Sequence, residues 1–114
     1  MELQQISKMI IETSHRINNA TKVIQSMARE RAESEYTYRI ALSKEITRLK
    51  ANGMAISILY DVAKGNVAAE LLQRDLSEGR YKASIESMRA LRSELSALQS
   101  LLRNMEEIET GTGQ

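Results

Sequence analysis

Apolar side chains recur along this chain at steps of three and four residues, the spacing that lines up one face of an α-helix. In the first limb they run Leu3, Ile6, Ile10, Thr13, Ile17, Ala20, Ile24 and Met27, with Thr13 and Ala20 as the weak members. The stripe is expected to slip through Ala28, Ala32 and Glu35, and it resumes at Tyr38, Leu42, Ile46 and Leu49. The intervening ARERAESE is charged and helix-favouring. It reads most simply as a solvated stretch where the stripe changes face, and more sharply as a change of packing partner. The second limb has its cleanest stripe at Met88, Leu91, Leu95, Leu98, Leu102 and Met105. These patterns predict one long helix over residues 2–50 and another over 67–108, with a frayed tail at 109–114.

Between the limbs, residues 52–66 read NGMAISILYDVAKGN and hold Gly53 and Gly65. No proline occurs in the chain, so glycine is its main punctuation. A short helix fits here, starting at Ala55 or Ser57, with Ile56, Leu59, Tyr60 and Ala63 on one side. Gly53 suits a cap after the first limb and Gly65 a cap after Lys64. Asn66 is placed to cap the second limb, and Glu70 sits in its first turn, where a helix favours an anion. Gly79 lies inside the second limb, to admit a close neighbour or to bend it. The expected fold is all-α: an elongated, antiparallel, coiled-coil-like helical hairpin of long helix, short elbow helix and long helix, forming a single domain over 1–108.

Composition narrows the function. Of 114 residues 42% are apolar, yet none is Phe or Trp, so the core is thin and aliphatic and self-association is expected to supplement it. Sixteen basic residues against fifteen acidic ones leave a net charge of +1, which offers no general attraction to nucleic acid or acidic lipid. There is no cysteine for disulfide or thiolate chemistry. The opening MELQQISKMIIETSHR has no uninterrupted apolar stretch and no cleavage pattern, and no run approaches the roughly 18 apolar residues of a membrane helix. A cytoplasmic protein is the expectation, with no membrane partner.

Catalytic chemistry finds few parts. Glu12 and His15 have the Glu-x-x-His spacing of di-iron bundles, but such sites need a second motif and two more carboxylates, and His15 is the sole histidine. No serine sits in a glycine-flanked turn, and no glycine-rich phosphate loop is present. The expectation is no enzyme, no metal and no cofactor. Leu49 to Val67 has the outline of a helix-turn-helix. Its readers, however, would be Ser57, Asp61 and Lys64, with only Arg48 and Lys50 as further cations, too few for phosphate neutralisation.

One polar cluster stands out. Counted from the ends of a 52–66 elbow, Tyr38 and Arg39 on one limb and Arg80 and Tyr81 on the other fall at similar heights, about 18–21 Å from it. Arg74 and Asp75 lie between that level and the elbow. Two tyrosines and two arginines at one level would stack on an anionic ring-bearing ligand or clamp a partner's carboxylates. The plainer reading packs the tyrosines in the seam and leaves the charges in ordinary pairs.

The motifs Tyr38 to Leu42, Leu49 to Gly53, Ala63 to Gly65, Arg74-Asp75, Tyr81 and Leu91 to Ser100 give residues 36–100 a further meaning. This stretch resembles a group of small helical proteins encoded by phages and prophages of Gram-positive bacteria. Where many of those carry proline after the first glycine, this chain has Ala55. The resemblance implies expression during infection in the host cytoplasm and an accessory role. On that basis the expected function is binding: antagonism of host defence by blocking a protein or sequestering a small anionic ligand, from a homo-oligomer. The alternatives are a structural or assembly protein of the virion and, less favoured, a DNA-binding regulator using the elbow.

Overall fold

A computed structural model describes residues 2–111. It is all-α, in the expected order of long, short and long: α1 (Leu3–Ala51, 49 residues), α2 (Ile56–Asn66, 11 residues) and α3 (Ala68–Thr110, 43 residues). Glu109 and Thr110 complete α3 rather than fraying, and the rest of the expected tail, 112–114, lies outside the described residues. No helix among the described residues is long and apolar enough to cross a membrane. The chain divides into two compact units, Met1–Ile24 with Ala83–Gln114, and Gln25–Lys82. Both long helices contribute to each.

In the first unit α1 and α3 are antiparallel, with Leu3 and Ile11 beside Leu102 and Arg16 within 3.4 Å of Glu94. Ile6, Thr13, Met88, Leu91 and Leu98 are buried, as the three-four stripes predict.

The second unit holds the elbow. The chain leaves α1 at Asn52 and Gly53, and Gly53 takes φ +81°, a left-handed conformation that glycine adopts without a Cβ penalty. The Met54 and Gly53 amides donate back to the carbonyls of Leu49 and Lys50, closing the helix end. Then α2 turns straight back: Leu59 and Ala63, both fully buried, pack on Leu49, with Leu42, Ile46, Met54 and Val62 around them. Ile56 and Tyr60, expected on the same side, remain exposed. Only Val67 separates α2 from α3.

Two local expectations are corrected. Gly65 lies within α2 and caps nothing, because the helix runs on to Asn66. Asn66 ends α2 instead of capping α3, and its side-chain amide donates to Glu45 at 2.9 Å, tying α2 to α1. A Cβ at Gly79 would meet nothing within 4 Å, so no neighbour packs closely there.

Candidate functional site

Below the elbow, the middle of the second unit is a waist in which the seam is polar. The stripe does not change face there. Ala28 and Ala32 stay exposed, and the three-four rhythm continues from Met27 through Arg31 and Ser34 to buried Tyr38. From Val67 at the junction it runs into α3 through Glu70, Arg74, Ser77 and Tyr81. The charged stretch pairs with α3 of its own chain.

The pairing is reciprocal. The Arg74 guanidinium lies 4.5 Å from the Tyr38 ring centroid, and the Arg31 guanidinium lies 5.0 Å from that of Tyr81. Arg31 sits 3.5 Å from Glu78, and Arg74 sits 3.6 Å from Glu35. Behind this symmetry is a motif present once on each helix. Residues 31–38 read RAESEYTY and residues 74–81 read RDLSEGRY, both Arg-x-x-Ser-Glu-x-x-Tyr. The two copies run antiparallel, so each arginine covers the other's tyrosine and pairs with the other's glutamate. Ser77, the serine of the second copy, is buried and accepts from Arg80 at 3.4 Å. Among the described residues, no buried side-chain nitrogen or oxygen lacks a partner.

This register corrects the expected levels. Tyr38 and Arg39 do not face Arg80 and Tyr81. Tyr38 meets Arg74, seven residues or about 10 Å away along α3. The cause is the elbow. Only residues 52–55 form the turn, and α2 belongs to the returning limb, so heights on that limb count from Ile56 rather than from Val67.

The structure places the six candidate residues as follows. Tyr38 and Tyr81 are seam residues under arginine caps. Arg74 is held by Glu35 and also by its neighbour Asp75 at 3.1 Å, and these anions raise its already high pKa, Asp75 foremost. Arg39 is largely exposed and pairs with Glu35 at 2.8 Å. Arg80 sits 3.8 Å from Glu30 on the other flank. Arg31, Glu35 and Glu78, which complete the clamp, were missed. The signal that would have found them is the repeated octapeptide.

An open groove lies on each side of the clamp. One, of about 520 Å³, is walled by Arg31, Arg39, Arg74, Glu35 and Glu78. The other, of about 480 Å³, is walled by Glu30, Glu33, Glu70 and Arg80, with Ala69 and Ser77 among its lining. No three His, Cys, Asp or Glu side chains among the described residues group to hold a metal ion, and Glu12 with His15 gains no further ligand.

Comparison with family models, with curated proteins and with solved structures finds no match.

Proposed function

We propose that the protein acts by binding another protein, as a phage accessory protein whose target is a component of host defence, and that the arginine-rich groove receives an acidic segment of that target. The observation that carries the binding mode is the state of the arginines. Each already shares a carboxylate: Arg39 and Arg74 share Glu35, and Arg31 shares Glu78 with Lys82. A small free anion would have to displace these in an open, water-filled groove, where exposed ion pairs contribute little. A protein segment with several carboxylates engages Arg31, Arg39 and Arg74 together, and its further contacts offset the lost pairs. The phage setting and the target in host defence rest on the resemblance of residues 36–100. Tyrosines stacked under arginines favour this reading over chemistry, because their faces are occupied within the fold.

The test pairs calorimetry with crosslinking. A panel of cyclic nucleotides is expected to give no heat, whereas a glutamate-rich peptide gives binding that weakens with salt and is lost in Arg39→Glu/Arg74→Gln. A photo-crosslinker at position 39 is expected to capture one host protein during infection. Tight binding of a cyclic nucleotide would move the reading to ligand sequestration. Recovery of the protein in purified virions would move it to assembly.

A further inference from the structure

The opposite groove and the elbow carry a separate inference. Glu33 and Glu70 line the 480 Å³ groove, and neither forms an ion pair among the described residues, while its third glutamate, Glu30, is taken by Arg80. Ile40, seven residues after Glu33 and three after Thr37 on α1, and Leu76, seven after Ala69 on α3, share those faces and are 41% and 44% exposed. At the elbow, Ile56, Tyr60 and Lys64 fall on one face of α2 at four-residue steps. Ile56 is 70% exposed and Tyr60 51% exposed, and Lys64 and nearby Lys50 also lack ion pairs among the described residues. Asp61 is the only acid on α2.

We infer that the elbow of a second copy of this chain docks in the acidic groove, with Ile56 and Tyr60 against its apolar rim and Lys50 and Lys64 on Glu33 and Glu70. Two features of the chain itself select this occupant. The charges match two for two, with both pairs left open in the single chain. The lengths match as well: α2 extends about 16 Å, and so does the α3 wall from Ala69 to Arg80. The α1 wall of the groove, Glu30 to Thr37, lies about 24–35 Å from the Gly53 turn along α1. Two copies side by side and antiparallel therefore each offer an elbow to the other's groove, which closes the assembly as a two-fold pair instead of leaving an open chain. Two such contacts bury an area near the low end of stable interfaces, so the dimer is weak, roughly micromolar.

Sedimentation equilibrium on the whole chain tests this. The wild type is expected to dimerise reversibly, less so at high salt. Glu33→Lys/Glu70→Lys and Lys50→Glu/Lys64→Glu should each weaken the dimer by about tenfold or more, and combining the four changes should restore most of the loss. Ile56→Ser/Tyr60→Ser should weaken it without rescue by any charge change. Helical circular dichroism of each variant separates lost association from lost folding. A wild type that stays monomeric at hundreds of micromolar overturns the inference. So does a dimer indifferent to these changes, or one that the combined variant fails to restore. Arg39→Glu/Arg74→Gln, which removes peptide binding in the other groove, is expected to leave this dimer in place, so the two readings fail separately.

Discussion

Two stretches of the second unit pack the same pair of limbs in opposite ways. At the elbow end, Leu49, Leu59 and Ala63 are closed in by Leu42, Ile46, Met54 and Val62. In the waist the seam is Arg31, Ser34 and Tyr38 against Arg74, Ser77 and Tyr81. Aliphatic packing supplies burial but little direction, and a three-four stripe slipped by one heptad buries nearly the same side chains. Polar pairs supply little net energy but accept one register, since a slip would part every arginine from its tyrosine and glutamate. The elbow end stabilises the hairpin and the waist specifies it.

The largest effect should therefore come from the elbow end. Leu59→Ala removes a fully buried side chain and is expected to cost about 2–5 kcal/mol in urea unfolding. Ser77→Ala, also buried but in the waist, should cost about 1 kcal/mol or less. Equal losses at the two sites would abolish the division of labour.

Tyr38 sharpens the comparison from inside the waist. Tyr38→Ala loses the buried ring and its arginine cap and should cost about 2–3 kcal/mol. Tyr38→Phe keeps both, and the change should stay under about 0.5 kcal/mol. A large loss in the phenylalanine variant would mean that the hydroxyl, rather than the stacked ring, holds the register.

How much of this was legible beforehand follows from what each element rests on. The three helices were, because three-four periodicity over forty or more residues, interrupted at Gly53, leaves few alternatives. The register was not. It hinged on whether α2 counts as turn or as limb, and Leu59 and Ala63 look alike in either case until Leu49 is known to lie beneath them. The waist misled for a related reason. A search for apolar stripes skips Arg31 and Ser34 and moves to Ala28 and Ala32, whereas a comparison of the two limbs with each other would have exposed the shared Arg-x-x-Ser-Glu-x-x-Tyr. Tyr38, Arg74 and Tyr81 were picked as a cluster for their chemistry, but which of them touch is a property of the register alone.

Glycines at the two places separate geometry from packing. Gly53→Ala forces a side chain into the left-handed turn at φ +81° and should lower stability by about 1–2 kcal/mol. Gly79→Ala, in the waist, adds a methyl group to open space in a mid-helix position and should raise it by about 0.5–1 kcal/mol. If Gly79→Ala destabilises instead, something packs on that face of the waist.

The smallest effect is the pH response of the tie between the limbs. Hydrogen bonds from Arg48 first, then Asn66, hold the Glu45 carboxyl below its ordinary pKa. A carboxylate depressed in the folded state contributes stability that is fully present above its unfolded pKa of about 4.3 and is lost as pH falls through the lower folded value. Stability should therefore drop below about pH 4.5, and Glu45→Gln should remove its share of that drop while leaving the response of the other carboxylates. Carboxyl NMR titration should place the Glu45 midpoint below the ordinary glutamate value. The tie spans Glu45 and Asn66, at the border of elbow and waist. Acid should therefore loosen the junction of α2 with α1 before it disturbs the Leu59 cluster, and Leu59 side-chain signals should persist at a pH where the Asn66 amide has already lost its protection.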